Sequence, residues 1–146
     1  MIIGEHKQKI GDKNRIAFPK KFREELGNKL IITRGYEGCL IVMSPAQWEE
    51  MTQDSIKGPF VSSLIRDTRR FLFAGASEIE LDSQGRFVIP PFLMDYSNLS
   101  EEGVFLGLGR WVELWDSTNW NAKLKDIGDS SGEVADRLAK TGDQDV

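Results

Sequence analysis

The stretch IGDKNRIAFP, Ile10 to Pro19, decides the fold, because the chain writes it a second time as LDSQGRFVIP, Leu81 to Pro90. Aligned on Arg15 and Arg86, the copies are offset by 71 residues, and Pro19 then falls on Pro90 and Gly4 on Gly75. Each copy reads as a polar turn, an arginine, and a short apolar strand closed by proline. Gly, Asn and Asp suit the turn because they tolerate positive φ or bond their own backbone. Proline cannot donate to a ladder but fits the first turn of a helix. Two such units in 146 residues point to an internal duplication.

Working outward, the same order of elements follows both copies. Met1 to Lys9 reads as a strand and Lys20 to Leu26 as a short helix stopped by Gly27-Asn28. Lys29–Thr33 and Cys39–Met43 read as a hairpin around RGYEG. Ser44-Pro45 then caps a helix, PAQWEEMT. In the second half, Ala76–Leu81, Phe87–Ile89, a helix from Pro90-Pro91, a hairpin of Val104–Leu108 and Trp111–Trp115, and a helix capped by Asp116 repeat that order. Trp48 and Trp120 correspond at an offset of 72. Between the units, SSLIRDTRRFLF (62–73) reads as an amphipathic connecting helix. The expected divisions are 1–53, a connector over 54–74, 75–125, and an acidic tail, 126–146. The tail's Gly, Ser and Asp lead us to expect fraying or disorder, with only EVADRLAK hinting at helix.

Composition narrows the function classes. Cys39 is the only cysteine and lies in an apolar run, so an intramolecular disulfide is impossible and a reducing cytosol is the natural setting. It reads as a buried small hydrophobe rather than a nucleophile. One histidine, His6, and one cysteine cannot supply an ordinary zinc site, and no cofactor is expected. No segment approaches the roughly 18 consecutive apolar residues of a membrane span. MIIGEHKQK does not read as a signal peptide.

Net charge is −4, yet it is unevenly spread. Residues 4–51 hold nine Lys/Arg against seven Asp/Glu, whereas 75–124 hold three against eight. Lys7, Lys9, Lys13, Arg15, Lys20, Lys21 and Arg23 crowd into seventeen residues. Such asymmetry can create a one-sided field on a net-acidic protein. The bland alternatives are a solvated basic face, and arginines that merely pair with carboxylates to hold each hairpin. At this level both stand open.

Three blocks, GEHKQKIGDKNRIAFPKKFRE, LIITRGYEGCLIVMSPAQWEEM and RRFLFAGASEIELDSQGRFVIPP, occur in an order that resembles the MraZ family of bacterial transcription regulators. The likeness runs from Ile3 to about Leu124. It implies an α+β, mainly β fold: two AbrB-like (SpoVT-AbrB) swapped-hairpin halves, interleaved into a pseudo-dimeric barrel with short helices. It also implies a homo-oligomeric ring, a bacterial cytoplasmic and nucleoid setting, and double-stranded DNA as partner. The DNA would be repeated promoter boxes upstream of the family's own division and cell-wall gene cluster, usually under repression. No small-molecule ligand is implied.

The family signature D-x-x-x-R falls cleanly on Asp82 to Arg86, with Gly85 before the arginine. It falls imperfectly on Gly11 to Arg15, where Gly11 replaces the aspartate and Asn14 the glycine. The implied DNA-binding residues are Arg15, Arg86, Lys13, Asn14, Lys9, Lys7, Lys20, Gly85 and Asp82. Arginine suits bidentate contact with guanine in a major groove, and lysines suit phosphates. The first copy has the charge and the second the full signature. A ring scaffold for an acidic protein is the rival reading. An enzyme is the weaker rival, since no nucleophile–base pair or phosphate-binding glycine loop is evident.

Overall fold

The computed structural model describes residues 1–55 and 58–144. In chain order the elements are β1 (Ile2–Lys9), β2 (Arg15–Ala17), α1 (Lys20–Leu26), β3 (Lys29–Arg34), β4 (Leu40–Met43), α2 (Pro45–Ser55), α3 (Ser63–Ala74), β5 (Ser77–Glu80), β6 (Arg86–Val88), α4 (Pro91–Ser97), β7 (Glu102–Gly109), β8 (Val112–Asp116) and α5 (Ser117–Gln144). Six strands form an antiparallel sheet in the order β1-β7-β8-β4-β3-β5, and β2 pairs with β6 in a separate two-stranded ribbon. The fold is α+β and mainly β, as expected, but the barrel is not closed. β1 and β5 remain the edges of the large sheet, and Pro19 and Pro90 end the ribbon strands after three residues each.

The two repeats exchange strands. β1 of the first pairs with β7 of the second, and β5 of the second with β3 of the first. In the ribbon Ile16 faces Phe87, its own counterpart at the offset of 71. In the large sheet Ile41 faces Glu113, its counterpart at 72. A pseudo-twofold axis therefore passes through both pairs. The surrounding hydrogen bonds obey it: Phe18 N–H donates to the Gly85 carbonyl and Ile89 N–H to the Asn14 carbonyl, both at 2.9 Å. Pro19 and Pro90 precede their helices with φ −56° and −54°, and Gly27 and Asn98 end them at positive φ.

The core lies between the ribbon and the inner face of the sheet. Ile16, Phe18, Phe22, Phe87 and Ile89 pack there with Leu30, Val42, Phe105 and Leu114, all buried. Strand alternation sends Val104, Leu106 and Trp115 to the outer face, under Trp120 of α5. The Trp120 indole N–H donates to Glu5 at 2.8 Å, fastening α5 to the edge strand. The Ser44 cap is realised reciprocally: Gln47 N–H donates to Ser44 Oγ at 3.2 Å, and Ser44 N–H to Gln47 Oε1 at 3.3 Å. Asp116 accepts from Asn119 N–H at 3.2 Å at the start of α5.

The connecting helix occupies Ser63–Ala74, capped by Ser62, and the buried Thr33 hydroxyl donates to the Leu72 carbonyl at 2.6 Å. Of the expected connector over 54–74, residues 54–55 belong to the end of α2 and 56–57 lie outside the described residues. The tail departs from expectation, because α5 runs unbroken from Ser117 to Gln144. Its Gly128, Gly132 and Gly142 weaken a helix without forbidding one, at roughly 1 kcal/mol each relative to Ala. Leu124, Ile127, Val134 and Leu138 recur at helical spacing along it.

Candidate functional site

The ribbon has two faces. Ile16 and Phe87 point inward, so alternation puts Arg15 and Ala17 of β2, with Arg86 and Val88 of β6, on the solvent face. Register sets Arg15 opposite Val88 and Arg86 opposite Ala17. The two arginines are thus diagonal neighbours, a relation that usually means roughly 7–8 Å. Both are half-buried. Between β1 and β2 only an isolated bridge forms, Gly11 to Arg15 across the turn, and β2 pairs instead with β6, so the exposed ribbon takes one strand from each repeat.

The turns leading into the two arginines differ. In the second, Asp82 Oδ1 accepts from the Gln84 N–H at 2.8 Å and the Arg86 N–H at 2.9 Å, and its Oδ2 accepts from Arg86 Nε at 3.2 Å. The Gly85 N–H closes the turn on the Asp82 carbonyl at 2.9 Å, and Gly85 has φ +76°. The Arg86 backbone N–H, followed by the Gln84 amide and the Arg86 guanidinium, holds the Asp82 carboxyl below the usual carboxylate range. Asp82 is exposed, and an exposed ion pair adds little stability. Its main effect is to fix the turn and aim Arg86.

In the first turn Gly11 has no carboxylate to offer. Lys13 and Asn14 both take the left-handed conformation, at φ 61° and 59°, where the second turn needs it only at Gly85. A non-glycine residue there costs on the order of 1–2 kcal/mol, least for Asn. Lys13 therefore projects from a constrained tip rather than a flexible loop. The Arg15 backbone is tied into the turn, its carbonyl accepting from the Gly11 N–H at 2.8 Å, but its guanidinium has no hydrogen-bond or ion-pair partner among the described residues. The alternative of arginines paired with carboxylates thus holds for Arg86 and not for Arg15.

Of the other expected residues, Lys20 is exposed at the start of α1, beside the ribbon's end. Lys7 and Lys9 are not brought to the arginine face. His6 turns inward, its ring 4.8 Å from that of Phe22, while Glu5 reaches Trp120 on the opposite side. Alternation puts Lys7 and Lys9 with Glu5, on the α5 side of the sheet. Sequence reasoning counted Arg23 in the basic run but gave it no place in the site. Its guanidinium lies against Gly85, where a Cβ would collide with it. The signal available in the sequence was the glycine itself, required by a close approach as well as by positive φ.

A cavity of about 570 Å³ opens elsewhere, on the outer sheet face between α2, α3 and the β7–β8 turn. Its Glu113 carboxylate is occupied by two indole N–H groups, Trp111 at 3.2 Å and Trp115 at 2.9 Å. Its lining holds no histidine, serine or cysteine among the described residues. Cys39 is fully buried, and burial pushes its thiol pKa well up, away from thiolate chemistry. No helix among the described residues is long and apolar enough to cross a membrane.

Comparison with known proteins follows the duplication seen in the geometry. The family model described as MraZ protein matches twice, over residues 1–71 and 72–141. The chain belongs to the MraZ family. It is 39% identical to the transcriptional regulator MraZ of Caldicellulosiruptor saccharolyticus over 97% of this chain and 99% of that one. With the MraZ regulators of Alkaliphilus oremlandii and Halothermothrix orenii it shares 38% and 39% identity, again over 97% of this chain and 99% of each relative. The boundary between the two MraZ matches falls within α3, the helix that joins the repeats.

Proposed function

We propose that this chain is a sequence-specific DNA-binding transcriptional regulator that lays the solvent face of the β2–β6 ribbon into the major groove. The observation that carries the reading is that Arg15 and Arg86, from different repeats, stand on one face of one ribbon. A two-stranded ribbon fits the major groove, and arginine is the side chain best matched to the paired acceptors of guanine. Lys13 and Lys20 flank the face with charge for phosphates. The names of the MraZ relatives support the same class.

One ribbon offers few contacts, and electrostatic binding alone typically gives dissociation constants of about 10⁻⁴–10⁻⁶ M. Tight binding then requires several ribbons acting together. A homo-oligomeric ring meeting repeated promoter boxes supplies that by raising the effective concentration of each later contact. We place the target upstream of the chain's own division and cell-wall gene cluster, with repression as the outcome and the nucleoid as the location. Mobility-shift titration of a duplex from that upstream region, against excess unrelated competitor, tests the reading. Retention of the shift under competitor supports it. A shift abolished equally by any duplex overturns the sequence specificity.

A further inference from the structure

We propose that Arg23, with Lys20, is a phosphate clamp for the second arginine turn, so that a helix of the first repeat serves the turn of the second. The inference rests on the reading that the ribbon face binds DNA. Three observations carry it. First, the Arg23 guanidinium lies against Gly85, the residue immediately before Arg86, at a place open only because Gly85 lacks a Cβ. The Phe18 N–H to Gly85 carbonyl bond, 2.9 Å, fixes the start of α1 to this same turn. Second, the half-buried Arg23 guanidinium has no hydrogen-bond or ion-pair partner among the described residues, although it carries five donors. Its nearest carboxylate in the turn, Asp82, is already engaged by two backbone amides and by Arg86. Third, Lys20 and Arg23 stand three residues apart on α1 and therefore on one helix face, a like-charge arrangement that is mildly unfavourable until an anion lies between them.

The pseudo-symmetry shows that this is not a generic feature of the fold. The positions of Lys20, Lys21 and Arg23 in the second repeat are Pro91, Phe92 and Met94. The first turn thus receives no cation from α4 and relies on its own Lys13, whereas the second turn receives its cations from α1. Division of labour follows. The first turn offers an unheld Arg15 with Lys13 beside it, and the second offers an oriented Arg86 with Arg23 and Lys20 behind it.

The clamp is tested by fluorescence anisotropy on the full chain, titrating a duplex from the upstream region and a scrambled duplex of equal length over a range of salt. Arg23→Gln is expected to weaken both duplexes alike and to lower the slope of log K against log salt by about one per engaged subunit. Arg23→Lys restores most of the slope, and Lys20→Gln, on an exposed side chain with no packing role, moves it in the same direction. Unchanged slopes for Arg23→Gln and Lys20→Gln, with wild-type binding intact, overturn the clamp alone. Loss confined to the upstream duplex also overturns it, because that marks a base contact. Wild-type protein binding neither duplex overturns the DNA reading itself, and the clamp with it.

Discussion

Arg15 and Arg86 are counterparts at an offset of 71 residues and share one solvent face of one ribbon, but only Arg86 is held, by Asp82 at 3.2 Å. The duplication therefore builds a symmetric frame and an asymmetric surface. The frame comes from Ile16, Phe87 and the two prolines, which agree between repeats. The surface follows from the positions where the repeats differ, Gly11 against Asp82, Asn14 against Gly85 and Arg23 against Met94.

Asp82→Asn should lower the melting temperature at neutral pH by a small amount that vanishes in acid. The folded pKa of Asp82 lies below its unfolded value, so its contribution is present above the unfolded pKa, about 3.9, and is lost as pH falls through the folded one. Melting curves of both proteins between pH 7 and pH 2 check this. The gap should stay constant down to about pH 4 and close below it.

Gly85→Ala should destabilise the fold by about 1–3 kcal/mol, since alanine must adopt φ +76° and displace the Arg23 guanidinium. Denaturant unfolding measures it. Ala in place of Gly109, also at positive φ but with open space around it, should cost less, because only the backbone term remains.

Lys13→Gln should flatten the salt dependence of DNA binding, whereas Lys7→Gln should leave it nearly unchanged. Lys13 stands at the ribbon's tip, and Lys7 points to the α5 side of the sheet. Titrations of the two variants on one duplex at several salt concentrations separate them. Equal effects would mean that the DNA also reaches the far face of β1.

Much of this was legible in the sequence, and the reasons are local. The repeated arginine–strand–proline pattern, the Ser44 and Asp116 caps and the apolar stripe of α3 all depend on residues a few positions apart. What was not legible depends on distant pairing. That β2 pairs with β6 rather than β1 is settled by the burial of Ile16 against Phe87, 71 residues away. The placement of Arg23 over Gly85 follows from that same exchange. The expected barrel stays open because β1 and β5 end at the turns instead of meeting. In α5 the glycines and serines, read as disorder, sit in a helix that begins from a firm cap and the buried Trp120. Lys7 and Lys9 show the limit of reading charge by proximity in sequence, since one residue along a strand reverses the face.

The most direct measurement is the ratio of dissociation constants for the upstream duplex and a scrambled duplex, at one salt concentration, for the wild type, Arg15→Ala and Arg86→Ala. Each substitution should remove about 1–3 kcal/mol of discrimination per engaged ribbon, compounded across subunits, while melting temperatures stay close to wild type. A ratio unchanged in Arg15→Ala, with the fold intact, would contradict the assignment of the ribbon face as the surface that reads DNA.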